Sequence, residues 1–131
     1  MSARINEGRQ EWVNIGTLVA LQPEGGSNWI AGVVRRYVRI DARQGAVGIQ
    51  TISRSPRGVV ADAGGIQTDA LLLDMPVVGE YARMALPASA LEDKVALQFT
   101  LDDMSARLHP REILERGPGY VVANFFVQSF S

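Results

Sequence analysis

The chain contains no cysteine. Disulfides, thiolate metal sites and cysteine nucleophiles are thereby removed, and a reducing compartment fits. Histidine is nearly missing as well: His109 stands alone, followed by Pro110 in what reads as a turn. A Ser–His–acid site would need it as the base. A zinc site would need carboxylates for almost every ligand. Neither an enzyme nor a metal or cofactor protein is therefore expected. Charge of one sign is absent too. A net charge of −1 gives no global basic field for nucleic acid or an anionic membrane, so any anion binding must come from a local cluster. No apolar run approaches the roughly 20 residues that span a bilayer. The opening MSARINEGRQEW lacks the apolar core of a signal peptide. Cytoplasmic is the default expectation. Long helical windows are missing, because 13 Gly and 6 Pro are spread through the chain and interrupt every one.

What is present is strand pattern. The length suits one domain, enough to bury roughly two-thirds of its unfolded surface. Residues 1–11 lack apolar periodicity and read as a flexible N-terminal arm. Trp12–Leu21 alternates, PEGGSN forms a turn, and Trp29–Ile40 runs on as a long strand. Ala46–Ile52 follows, then Val59–Ala63, Asp69–Met75 closed by Pro76, and Glu80–Leu86. The segment PASALE, 87–92, suits one short helical turn. Lys94–Leu101 is the cleanest alternation in the chain. Met104–Leu108 continues as a strand. PREILER, 110–116, has helical composition and a Pro suited to a first helical position, or it is a strand ending at Gly117. Tyr120–Val127 closes the series. Seven or eight short strands between turns predict an all-β fold, a six- to eight-stranded antiparallel barrel with at most one short helix. The expected organisation is a single barrel domain over 12–131, with its strands ending near residue 128. Val95, Leu97, Phe99, Val121, Ala123 and Phe125 are its expected core.

Candidate chemistry concentrates on one strand. Arg35, Arg36 and Arg39 lie beside Trp29 and Tyr37. On a regular strand Arg35 and Arg39 point the same way, and guanidinium pairs grip phosphate well. The competing expectation is a solvated face paired with neighbouring carboxylates. Strict alternation puts Arg36 among Ile30, Val34 and Val38. A bulge, a rim position or a buried partner would each resolve that conflict. The carboxylate pairs Glu92–Asp93 and Asp102–Asp103 fit strand ends, and the Gly pairs at 25–26 and 64–65 fit turns better than phosphate loops.

The text WIAGVVRRYVRIDARQGAVGIQTI, Trp29–Ile52, resembles part of the PilZ barrels, bacterial receptor domains for cyclic-di-GMP. The matching pattern is an apolar-Gly-x-Val strand at Ile30–Arg36, a turn, and Val-Gly-Ile at Val47–Gln50. IGTLVAL, Ile15–Leu21, and DALLLDMP, Asp69–Pro76, resemble longer relatives of the same type. The resemblance implies a PilZ-like split barrel acting in bacterial signalling. PilZ receptors carry RxxxR followed by D/N-x-S-x-x-G. Arg35–Arg39 spells the first, and Ser53–Gly58, SRSPRG, gives the second with Ser53 in the Asp/Asn place. A second placement is NEGRQE, Asn6–Glu11, with Gly8 for Ser and Glu11 for Gly. The ligand residues so implied are Arg35, Arg36 and Arg39, with Asn6, Arg9, Ser55 and Arg57 beside them. The implied function is a non-catalytic regulatory module that binds cyclic-di-GMP or a protein partner. The alternative is a structural or interaction barrel, possibly dimeric, without a small ligand. A single-stranded nucleic-acid binder using Trp29, Tyr37 and the arginines is a third reading, which near-zero net charge disfavours.

Overall fold

A computed structural model describes residues 2–6, 16–22, 29–39 and 44–131 of the chain. It is all-β and antiparallel throughout, and it divides into two compact units, Met1–Ser55 and Pro56–Ser131.

The first unit is a four-stranded sheet of β1 (Ser2–Asn6), β2 (Leu18–Leu21), β3 (Ile30–Arg39) and β4 (Gln44–Ser53), in the order β1-β4-β3-β2. Ser2–Asn6, which composition assigns to an arm, is an edge strand paired along Gln44–Gly48. Val34 and Ile49 are directly opposed across β3 and β4 and form a small buried cluster with Val19 and Leu21. Gly32 permits the close approach of these strands: a Cβ there would lie 2.5 Å from Ile49 Cγ2. Gly16, at φ 92°, turns the chain into β2 and donates its N–H to the Val34 carbonyl.

The second unit is a closed six-stranded barrel. Its strands are β5 (Arg57–Ala63), β6 (Ile66–Leu72), β7 (Tyr81–Leu86), β8 (Leu97–Leu101), β9 (Met104–Gly117) and β10 (Tyr120–Phe130), ordered β10-β7-β6-β5-β8-β9. The antiparallel barrel expected from turn spacing is thus present, and all six of its strands lie between residues 57 and 130. The strands of the first unit form their own sheet instead. Alternation in sequence records which side of a strand is apolar, not which strand lies beside it. A 3-10 turn, Ala88–Leu91, follows Pro87, where PASALE suggests it.

Period-two patterning builds the barrel core. Leu97, Phe99 and Leu101 point inward from β8, with Val121, Ala123, Phe125 and Val127 from β10 and Leu72, Met84 and Leu108 from three other strands. Of the expected core residues only Val95 falls short; it precedes β8 and is half-buried. Tight hairpins set the registers. Gly64 and Gly65 (φ 65° and 95°) close β5 onto β6 in two residues, and the Gly65 N–H donates to Asp62 Oδ1 at 2.7 Å. That turn starts β6 at Ile66 rather than Asp69. Asp102 and Asp103, at φ 51° and 63°, close β8 onto β9.

β9 takes the second reading of PREILER, a strand ending at Gly117, and departs from expectation at His109. Met104–Leu108 and PREILER belong to one strand, and His109 lies inside it rather than in a turn. Pro110 is tolerated because it adjoins a register shift, where Phe125 pairs with Pro110 and Asn124 with Glu112.

The barrel ladders are unequal. β9 and β10 pair from Tyr120 to Phe130, and β5 and β6 pair along their full lengths. By contrast, β5 meets β8 only through Asp62↔Gln98 and Ala63↔Leu97, and β6 meets β7 only through Leu71↔Ala85 and Leu72↔Met84. An Arg–Asp pair reinforces each narrow seam. Arg83 on β7 donates from Nε to Asp74 Oδ2 and from Nη2 to Asp74 Oδ1, both at 2.8 Å. Arg57 on β5 donates from Nη2 to Asp102 Oδ1 at 2.8 Å. Among the described residues, no helix is long and apolar enough to cross a membrane.

Candidate functional site

A β-bulge decides the arginine strand. Val34 pairs with Ile49 and Arg36 with Gly48, so Arg35 is the extra residue between them. The bulge resolves the conflict at Arg36: it leaves the buried side that Val34 occupies and is exposed, as is Arg35. The two guanidinium-bearing residues therefore stand next to each other on an accessible stretch of β3. Gly48 makes room for this, since its Cβ position lies 3.3 Å from Arg36 Cβ and 3.6 Å from Arg36 Nε. Arg35 Nε donates to Gln50 Oε1 at 2.8 Å, which orients its guanidinium along β4. Val38, expected on the core side, is 48% exposed for the same reason: the bulge reverses parity beyond Val34.

The bulge also separates Arg35 from Arg39 in register. Arg39 pairs with Gly45. RxxxR spacing places two side chains on one face only in an unbroken strand, and here the alternation is interrupted at the first Arg. The side chains of Arg39, Tyr37 and Asn6 lie outside the described residues; the Asn6 backbone pairs with Gln44. Arg9 and the turn at 23–28 lie outside them entirely. Ser55 is exposed and ends the first unit, with its N–H donating to Oγ of the buried Ser53 at 3.3 Å. Arg57 belongs to the second unit and is occupied: its forked bond to Asp102 holds that carboxyl below the usual carboxylate range. Trp29 is 56% exposed.

The remaining sequence candidates settle into structural roles. His109 Nε2 is hydrogen-bonded to Gln128 Oε1 across β9 and β10. The Asp102–Asp103 and Gly64–Gly65 pairs are hairpin turns. Hydrogen bonds from Arg83 lower the Asp74 carboxyl against a smaller opposing effect of burial. Among the described residues no group of three His, Asp or Glu side chains converges to hold a metal.

One surface escaped the sequence reading. On the barrel exterior Tyr81 meets Phe126 edge to face at 5.8 Å between ring centroids, and the Arg111 guanidinium lies 5.5 Å from the Phe126 centroid. Continuous pairing of β9 creates that row, and PREILER, which reads equally as helix or strand, does not reveal it.

No known relative fixes the family. Neither a family model, a curated protein nor a solved structure matches the chain. The arginine geometry and the barrel are therefore what a functional reading must rest on.

Proposed function

We propose that the chain is a non-catalytic binding module that recognises a phosphate-bearing ligand of the cyclic-di-GMP class through Arg35 and Arg36. The observation that carries this reading is the β3 bulge, which sets two adjacent arginines on an accessible surface, one of them oriented by Gln50. Planar guanidinium forks match phosphate oxygens bidentately, and two held side by side can address two phosphates or two edges of one. Arg57 belongs to the other unit, where Asp102 already engages its fork, and it is not part of this pair. The PilZ resemblance at Trp29–Ile52 lends this the ligand class.

Calorimetry on the full chain tests the proposal, with cyclic-di-GMP as titrant and GMP as control. Saturable heat with the dinucleotide is expected, and Arg35→Ala or Arg36→Ala should weaken it by about 10- to 150-fold, the loss of one charge-assisted contact. Wild-type protein giving no heat well above micromolar ligand would remove this reading. A second reading, a protein-interaction barrel, is supported by Met75, Val77, Val78 and Tyr81, each at least half exposed on β7 and the segment before it. Concentration-dependent size-exclusion would favour it.

A further inference from the structure

We infer that the barrel carries a second binding site, a cleft for a small organic anion with an apolar body, such as an aryl phosphomonoester. It is independent of the Arg35–Arg36 reading, because every residue that forms it belongs to the other unit. The cleft has a volume of about 390 Å³, within the range of small-molecule sites.

Its shape follows from β9. Register shifts between Asn124/Phe125 and between Val122/Ala123 make Arg111 and Leu114 extra residues. A regular strand shows alternate residues to one side. Here Pro110, Arg111, Glu112 and Ile113, four in succession, all line the same cleft. Two bulges within seven residues re-aim side chains that would otherwise diverge.

Its chemistry is two-part. Lys94 and Arg116 bring two cations to the cleft against the single carboxylate of Glu112, while Arg111 lines it with its guanidinium turned onto Phe126. The two cations come from separate positions: Lys94 from the segment before β8 and Arg116 from the end of β9. Among the described residues neither Lys94 nor Arg116 has an ion-pair partner within 4 Å, and the Arg111 guanidinium stacks on the Phe126 ring. Lys94 is moreover held at φ 52°, a conformation that a lysine adopts at a cost. Leu91, Pro110, Ile113 and the buried Ala123 supply the apolar part. Unneutralised cations beside an apolar wall favour a ligand with an anionic head and a compact hydrophobic body, and a phosphomonoester on an aromatic ring has that form.

The probe is phenyl phosphate, titrated into the full-length protein and followed by amide chemical shifts. Saturable shifts are expected at Leu91, Lys94 and Ile113. Lys94→Gln and Arg116→Gln should each weaken binding about tenfold or more, and Glu112→Gln should tighten it. Arg107→Gln, an exposed charge on the same strand outside the cleft, should leave binding unchanged. Inorganic phosphate and phenol, the two halves of the probe, should each bind at least about tenfold more weakly than the whole. No saturable shift into the millimolar range would overturn the site, as would equal binding by either half. So would an Arg107→Gln loss as large as those of the cleft variants. All four variants change exposed side chains, and their circular dichroism and melting midpoints establish that they are folded before titration.

Discussion

Two phenylalanines of the barrel core should respond differently to truncation, although both are buried. Phe125 is fully inaccessible and sits on β10 between two paired neighbours, opposite Ala82 on one side and Pro110 on the other. Phe99 is 5% exposed on β8, paired with Ala106 on β9, but its other side faces the narrow β5–β8 seam. An open groove lined by Val59, Phe99 and Ala106 follows that seam. Removing a buried ring forfeits roughly 2–3 kcal/mol of transfer free energy. A residual cavity of about 50–80 Å³ adds about 1–2 kcal/mol at ~24 cal/mol per Å³. Phe125→Ala should carry both contributions, about 4–5 kcal/mol, because ladders on both sides keep the walls in place. At Phe99 the seam lets neighbours relax and water enter, so the cavity contribution shrinks and the cost is about 3 kcal/mol. The two variants should then differ by roughly 5–15 °C in melting midpoint, on the scale of a domain of 60–100 residues. Urea melts followed by far-UV circular dichroism measure this directly. Tryptophan fluorescence serves as the control, since Trp12 and Trp29 both belong to the first unit. A Phe99→Ala cost equal to or above that of Phe125→Ala would refute the reasoning from the seam.

Gly32→Ala should destabilise the four-stranded sheet by about 1–3 kcal/mol through the clash with Ile49 Cγ2, and Ile49→Leu, which removes that methyl branch, should recover part of the loss in a double-mutant cycle. Asp74 has a lowered folded pKa, so its pair with Arg83 stabilises fully above the unfolded carboxylate value and fades as pH falls through the folded one. Asp74→Asn should cost no more than about 1 kcal/mol at neutral pH and should flatten the acid limb of stability, measured by urea melts from pH 7 downward; parallel limbs in the two proteins would contradict it. Asp103→Gly should stabilise the β8–β9 hairpin by about 0.5–1 kcal/mol, because φ 63° suits glycine better than aspartate, and a lower thermal midpoint would count against this.

Legibility of the fold in the sequence varied with the kind of information each element needs. Leu97, Phe99 and Leu101 announce an inward face without ambiguity, since alternation is a local property. PASALE and the glycine turns are local as well. β9 was legible in part: Met104–Leu108 reads as a strand, and a strand ending at Gly117 is one of two readings of PREILER. The missing alternation and the proline hide their continuity, and only the bulges opposite β10 explain how Pro110 and His109 lie in a strand. Partition of the strands between a sheet and a barrel depends on partner choice, and patterning carries no record of that. At the candidate site, Arg36 was the visible irregularity, and a bulge was one of the ways it resolves. That the bulge also interrupts RxxxR depends on which residue is left unpaired, and only the register against Gly48 and Ile49 reveals it.

The two narrow seams give the barrel a second level of organisation. The β5–β6 hairpin is joined to the rest by two residue pairs on either side, while the remaining four strands share long ladders. Val59, Ala61, Ala70 and Leu72 anchor it through side-chain packing rather than backbone bonding. In native-state hydrogen exchange the hairpin should behave as a foldon of its own, releasing its protected amides at a lower opening free energy than β9 and β10. Acid sharpens that contrast. Asp74 and Asp102 both have pKa values lowered by their arginines, one at each seam, so protonation weakens a contact on each side of the same hairpin, more at the half-buried Asp74 than at the exposed Asp102.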